Sequence, residues 1–515
     1  MMRHATDVIL AIDEGTSGTR AAVVAANGHV SCLAYASLAV ATPRHGVVEQ
    51  DANLVLEKTL GVCREAIASA GREGLRIVAL AVATQRATAV LWDTRTGRAL
   101  VPAMVWQDTR YVHELDALAP QWDRRLIERV GRPAGVRSPY LWAARHIQHT
   151  PAVSQAYSDK RLAFGTVDTW LLWHLSTERA CVTTPTNATS GSAYDLAGHA
   201  YYLDWIDALA FPRELLPELR EDADDFGRTR ADLLGIDVPI LASAGDQLAG
   251  AIGLGCLDRG QTMCVHGTGS FVDLITGPTP PANAGLYEGS LTMTARRQHG
   301  VTHLSVETFV ATTGSALNWV CEKLRWFDSP AQISALAATV DSARGVTFLP
   351  ALTGLRVPCM EANARASLTG ISMATTQAEV AYAVLEGIAH SVTSCIEANA
   401  AVAGAQVTEL IVGGGLSGSN ALLRMQANLT GMPICRMQET DRASLRGIAF
   451  LAGSSGLLWD SLQHARSTNV TEAVFQPDLG DDERGRRRAL WHARVASELA
   501  HAQDPHNFQQ EISNQ

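Results

Sequence analysis

The apolar run Val8-Ile9-Leu10-Ala11-Ile12 stops at Asp13-Glu14-Gly15-Thr16-Ser17-Gly18-Thr19-Arg20, and Ala21-Ala22-Val23-Val24 resumes it. Two short apolar runs around a small, hydroxyl-rich turn predict a β-hairpin. The pattern returns near the middle of the chain, where Thr262-Met263-Cys264-Val265 leads into Gly267-Thr268-Gly269 and then Phe271-Val272. Two Gly-Thr tips, one in each half, predict two related units facing each other across a cleft. Further strands are predicted at Arg76–Thr84, Ala87–Trp92, Pro239–Ala244 and Leu410–Val412. Helical spacing runs over Asn53–Ala70, Leu248–Gly255, Thr376–Ala403 and Ser444–Leu458. The alternation is that of an α/β protein with mixed sheets.

A composition break at Leu257-Asp258-Arg259-Gly260 places a boundary between units at 5–256 and 257–460. The segment Glu218–Asp232 is acidic and poor in apolar residues, and reads as an exposed connection. The charged stretch 461–515 reads as a solvated helical tail with a frayed end.

Bulk properties narrow the function classes. The chain has 515 residues, 47% hydrophobic and 18% charged, a globular profile with room for several domains. Its net charge of −10 opposes binding to nucleic acid or anionic membrane. The 9 cysteines are scattered without a C-x-x-C pair, which argues against a zinc site or disulfide framework. Arg3 and His4 precede an apolar stretch that Asp7 and Asp13 interrupt, so no secretory signal is read. No apolar run approaches the ~20 residues of a membrane span. A cytoplasmic protein is expected.

The hairpin tips carry what a nucleotide phosphate tail needs: small residues for close backbone approach, hydroxyl donors, and a carboxylate able to hold magnesium. Asp246 follows a short strand at the mouth of a helix, with Gly245 keeping the approach open. There it can take a proton from a substrate hydroxyl, although Asp is also a favoured helix N-cap. Gln85, Arg86, Trp106, Tyr140 and Phe271 supply the amide, guanidinium and aromatic groups that suit a small polyhydroxylated ligand. Two alternatives stay open. Gly413-Gly414-Gly415-Leu416-Ser417-Gly418, with Glu439 downstream, fits a dinucleotide turn and hence an NAD-dependent oxidoreductase. An actin-like ATP-binding protein without catalysis would need only the phosphate turns.

The chain resembles the FGGY family of carbohydrate kinases, and within it the glycerol-kinase branch, from about Asp7 to about Leu458. The resemblance rests on Asp13-Glu14-Gly15-Thr16-Ser17, Thr84-Gln85-Arg86, Val105-Trp106-Gln107, Phe164-Gly165-Thr166-Val167-Asp168, Ala244-Gly245-Asp246-Gln247, Gly267-Thr268-Gly269 and Pro350-Ala351-Leu352-Thr353-Gly354. It implies two actin-like (ribonuclease H-like) domains with mixed sheets that close over ATP, Mg2+ and a polyol, commonly as a homodimer or homotetramer. By that likeness Asp246 is the base, and Gln85, Arg86, Trp106, Tyr140, Gln247 and Phe271 line the polyol site. Thr16, Ser17, Gly18 and Arg20 meet the phosphates. Thr268, Gly314, Asn318, Gly415 and Ser419 hold the nucleotide, and Asp13 and Asp246 approach the metal.

Departures from the family pattern shape the expectation. Ala87 stands where glycerol kinases carry a glutamate that accepts a glycerol hydroxyl, so a small polyol or sugar of four or five carbons is expected instead of glycerol. Glu14 adds a negative charge beside the phosphate turn if it faces ATP. Gly413 and Ser419 replace a common aspartate and asparagine on the nucleotide side.

Overall fold

The computed structural model describes residues 6–504. Residue 5, the Arg3-His4 segment and the tail beyond 504 lie outside the described residues. The first sheet begins with three antiparallel strands, β1 (Asp7–Glu14), β2 (Gly18–Ala25) and β3 (Val30–Ser37). Helix α1 (Ala52–Arg72) leads to β4 (Arg76–Thr84), which lies parallel to β1. A long insertion follows. It holds a small sheet built around Ala89–Asp93 and Leu162–Thr166, and the helices α2 (Val112–Val130) and α3 (Pro139–His149). The chain then returns as β5 (Ile240–Gly245), parallel to β4, and enters α4 (Asp246–Leu254). The order is β5-β4-β1-β2-β3.

The second sheet repeats this plan. β6 (Gln261–His266) and β7 (Ser270–Gly277) form the second hairpin, followed by β8 (Leu291–Gln298) and β9 (Val301–Val310), the latter pairing with β7. Helix α5 (Gly314–Glu322) starts the next connection and α6 (Gln377–Ala403) completes it, opened by a Thr376–Glu379 capping box. β10 (Glu409–Gly413), α7 (Asn420–Thr430), β11 (Ile434–Met437) and α8 (Ala443–Gly453) close the repeat. The central order β11-β10-β6-β7-β9 matches β5-β4-β1-β2-β3 strand for strand, with the same parallel and antiparallel senses.

Strand alternation explains the layers. Val8, Leu10 and Ile12 of β1 face α1, where they pack with Val55, Val62 and Cys63. Ile9 and Ala11 face the other way, against Ala249 and Ile252 of α4 and Leu445 and Ile448 of α8. Leu248, Ala251 and Leu254 of α4 meet Met263 and Ile411 of the second sheet. Helices α4 and α8, the equivalent last helices of the two repeats, therefore form the hinge layer between the sheets. Their crossing is closer than any side chain allows, since a Cβ at Gly253 would strike the Ala443 carbonyl and one at Gly447 the Ala249 carbonyl.

Two expectations are corrected. The segment 218–232 is not simply exposed: Asp222 and Phe226 are buried, and Asp222 takes the Thr186 and Arg297 backbone N–H groups at 3.1 and 2.6 Å. The tail is docked, not solvated, through 504. Strand β12 (Thr471–Phe475) pairs with β11, and in α9 (Asp481–Ala502) Trp491 stacks on His390 of α6 at 4.9 Å. Arg488 beside it reaches Glu397 and the His390 carbonyl. Its apolar stripe, Trp491, Val495, Leu499 and Ala502, is diluted by the surrounding arginines and acids, so composition hid a core-facing helix. Among the described residues no helix is long and apolar enough to cross a membrane.

Candidate active site

The site is built where strand ends of both repeats meet. Asp13 and Glu14 are neighbours on β1 and so point to opposite faces. Asp13 pairs with Arg20 at 3.8 Å, and burial followed by the Asp246 charge raises its carboxyl to about 7. Glu14 is fully buried on the other face, where it accepts a hydrogen bond from the Thr59 hydroxyl at 2.7 Å. Burial raises it to about 8, which leaves it protonated at neutral pH. The feared second charge beside the phosphate turn is therefore neutral and turned away from the cleft.

The turn itself is braced. The Trp106 indole N–H donates to the Thr16 hydroxyl at 2.8 Å, and the Gln50 amide donates to the Thr16 carbonyl at 2.6 Å. Gln85 donates to Gln50 at 3.0 Å and accepts from the Thr88 hydroxyl at 2.9 Å. Thr88 in turn accepts the Trp106 backbone N–H at 3.2 Å. This closed circuit locks the tip of β1–β2 to the end of β4. Both ends of the buried Gln85 amide are used in it, so Gln85 acts as a brace under the site, not as a free lining group.

β4 and β5 run parallel with Thr84 opposite Gly245, so Arg86 and Asp246 emerge side by side. A Cβ at Gly245 would press on Arg86 Cδ at 2.6 Å; glycine is what admits the arginine. Gly245 is the N-cap of α4 and Asp246 its first residue, and the Asp246 side chain takes only the adjacent Gln247 N–H, at 2.8 Å. Burial raises the Asp246 pKa and the nearby Arg86, 3.9 Å away, pulls it back. Arg86 then reaches into the other repeat, donating to Glu307 of β9 at 2.7 Å. Phe271 of β7 stacks on Phe309 of β9 at 5.2 Å. Tyr140, near the start of α3, packs among Phe164, Phe211 and Tyr201.

The second tip is a platform of bare backbone. The N–H groups of Thr313 and Ser315 bond the Thr268 carbonyl at 3.0 Å, and that of Gly314 bonds Gly267 at 3.1 Å. A Cβ at Gly314 would strike the Gly267 carbonyl, and one at Gly414, where φ is +82°, the His266 backbone. Gly415 is exposed with open space around it, and Asn318 is exposed one turn into α5. Ser419 is committed elsewhere: it caps α7 through the Leu422 N–H at 3.3 Å and bonds Ser334 at 2.8 Å. His266 lies buried between Ser270 and Gln426, and burial lowers it to about 4.

The dinucleotide alternative fails here. The Gly413–Gly418 turn belongs to a mixed sheet, and Glu439 is held by Arg442 and Arg446 at 2.7 and 3.2 Å, so it is not available to a ribose.

The family's N-terminal domain pattern, described as "FGGY family of carbohydrate kinases", matches residues 8–253 and its C-terminal domain pattern matches residues 262–456. The chain belongs to the FGGY family of carbohydrate kinases. A glycerol kinase of Deinococcus radiodurans is 32% identical, over 95% of this chain and 97% of that one. The crystal structure of Plasmodium falciparum glycerol kinase with ADP superposes with a TM-score of 0.90 at 24% identity, covering 97% and 99% of the two chains. A ligand-bound xylulose kinase from Lactobacillus acidophilus superposes with a TM-score of 0.84 at 20% identity, covering 98% and 100%. As an FGGY member the protein is an ATP-dependent carbohydrate kinase that works with Mg2+.

The residues present fit that cation. Two carboxylates, Asp13 and Asp246, lie close enough for one to raise the other's pKa, a repulsion that a divalent ion relieves. Among the described residues no group of three or more His, Cys, Asp or Glu side chains could hold a metal. Mg2+ suits such a site, since it is usually held by one or two carboxylates with phosphate oxygens and water as the other ligands.

Four charged groups of this FGGY site escaped the sequence reading: Glu307, Asp273, Arg132 and Arg137. The arginines flank a Pro-Ala-Gly turn just before Ser138-Pro139-Tyr140, a signal open to notice. Nothing in the chain order links either acid to Arg86.

Proposed function

We propose that this kinase transfers the terminal phosphoryl group of ATP to a terminal hydroxyl of a four- or five-carbon polyol or sugar. The observation that carries it is the place of Asp246, beside Arg86, near Asp13 of the first Gly-Thr hairpin and within reach of the Glu307 charge from the other repeat. Asp246 takes the hydroxyl proton as the oxygen attacks phosphorus; the new O–P bond forms, the bond to the bridging oxygen breaks, and ADP leaves. Thr16, Ser17, Gly18 and Arg20 meet the phosphates from one tip, and Thr268 and Gly314 from the other. Asp13 and Asp246 would hold Mg2+, which would offset phosphate charge. Most of the rate comes from positioning and charge neutralisation.

Substrate length is read from Ala87. It is fully buried, its φ is +61°, and it offers a methyl group where a hydroxyl acceptor is usual. Its likeness to glycerol kinases supports the polyol class, and Ala87 argues for a longer member. We also propose a cytoplasmic homodimer or homotetramer with no nucleic-acid or membrane partner. The net charge of −10 and the nine free cysteines support the compartment and the absence of such partners; the oligomer rests on family likeness.

A coupled ADP-release assay across glycerol, tetritols, pentitols and ketoses tests this, with Asp246→Asn as the inactive control. Turnover of a tetritol, pentitol or ketose above glycerol is expected. A clear preference for glycerol rejects the substrate reading, and ADP release from none of them rejects the transfer itself.

A further inference from the structure

The loop 131–138 joins α2 to α3 and is pinned at both ends. The Gly131 carbonyl accepts the Thr292 N–H of β8 at 2.9 Å, with Gly131 at φ +78°. Ser138 caps α3 through the Leu141 N–H at 3.2 Å. Between these anchors stand Arg132 and Arg137. Arg132 donates to the Ser190 carbonyl at 3.0 Å. Arg137 lies over the Trp106 ring at 5.8 Å from its centroid, and its Nε is buried without a partner. Arg86 gives Nη2 to Glu307, and its Nη1 is likewise buried without a partner.

The charges around this end of the cleft do not balance. Among the described residues neither Arg132 nor Arg137 forms an ion pair; Glu307 pairs with Arg86 alone, and its charge is felt by the other two guanidinium groups. The next acid, Asp273, sits directly opposite Glu307 across β7 and β9 and is fully buried. Burial, then the Glu307 charge, raises its pKa well above the carboxylate range. Burial and the neighbouring guanidinium groups also press Arg137 below the ordinary arginine range, the mark of a cation short of a counter-ion. Half-buried guanidinium groups with unpartnered N–H groups are completed by something of opposite charge.

We infer that the acceptor substrate is anionic: a carboxylate at the end remote from the reacting hydroxyl binds Arg132 and Arg137. The substrate class is a four- or five-carbon sugar acid. Asp246 meets Arg86 on its Nε side and Glu307 on its Nη2 side, and Arg132 and Arg137 lie near enough to feel the charges of both Arg86 and Glu307. Planar guanidinium forks match a carboxylate with paired hydrogen bonds. The transfer is the one already proposed, from ATP to a hydroxyl with ADP leaving, and the carboxylate is unchanged by it. The inference rests on that reading.

The test measures ADP release with erythronate and threonate against erythritol, xylonate against xylitol, and ribitol 5-phosphate, for the parent, Arg137→Gln and Arg137→Lys. The acids should exceed their neutral partners in kcat/KM by about 10-fold or more, as for a hydrogen bond to a charged group. Arg137→Gln should raise KM for the acid about 10- to 100-fold and leave KM for ATP within about 2-fold, with Arg137→Lys recovering part of the loss. Preference for the neutral polyols, preference for the phosphate ester, or a penalty that falls on KM for ATP overturns the inference. Thermal shift by erythronate without ATP separates the two readings: a shift by the acid but not by erythritol supports the carboxylate site even if transfer fails, and no difference sinks it.

Discussion

The two hairpin tips are the same piece of architecture carrying different chemistry. At the first, the cross-strand pair facing the cleft is Asp13 and Arg20; at the second, the equivalent pair is Val265 and Phe271. One position on, the buried residues are Glu14 and His266, both neutral at pH 7 through burial. The first tip thus presents a charged pair, and the second presents glycine backbone and an aromatic face. The strand-five ends diverge likewise: β5 delivers Asp246 into the cleft, and β11 delivers Asp441, which is exposed and whose carbonyl accepts from Arg20 at 3.2 Å. A repeated fold supplies two sets of equivalent positions around one gap, and side-chain divergence divides the labour between them.

The largest effect should separate those two aspartates. Asp246→Asn should lower kcat by about 10³-fold, within the span for removing a general base, while Asp441→Asn stays within about 3-fold. Comparable losses from both would break the comparison. Next comes the hinge, where the repeats touch through glycine. Gly447→Ala puts a Cβ against the Ala249 carbonyl and should cost about 1–3 kcal/mol, read from denaturant unfolding. A neutral result would mean that the helix crossing is looser than its geometry. Gly314→Ala crowds only the second tip; KM for ATP should rise about 10-fold with KM for the sugar substrate unchanged.

The smallest effect is a pH dependence at the first tip. Glu14 has its folded pKa raised to about 8, so the folded state holds a proton that the unfolded state releases at lower pH. Stability therefore declines as pH rises from the ordinary glutamate range to about 8 and levels off above it. Glu14→Gln mimics the protonated acid and lacks this decline. Its advantage in Tm over the parent should widen from pH 5 to pH 8.5, followed by thermal melts. A constant gap would mean that Glu14 is ionised in the fold.

Legibility in the sequence followed locality. Both hairpins, the strand Arg76–Thr84, the helix Gln377–Ala403 and the Gly245-Asp246 junction could be read because each is a short pattern with its own stop signal. The tail was misread because α9 hides four core contacts among arginines and acids. Gln85 was read as a lining group, and nothing nearby in sequence announces that Gln50 and Thr88 each engage one end of its amide. Ser419, read as a nucleotide contact, also caps the helix it begins.

By itself the sequence determined the two Gly-Thr turns, the acid that follows the fifth strand and the α/β class, because backbone reach and hydrophobic period are properties of neighbouring residues. Only the tertiary structure decided which charges share the cleft. Arg86 meets Glu307 from the other repeat, burial and that glutamate raise the pKa of Asp273 opposite it, and the loop 131–138 brings two more guanidinium groups within reach of the same charges. Electrostatic energy depends on distance and on exclusion of water, and neither is written in the order of residues along a chain.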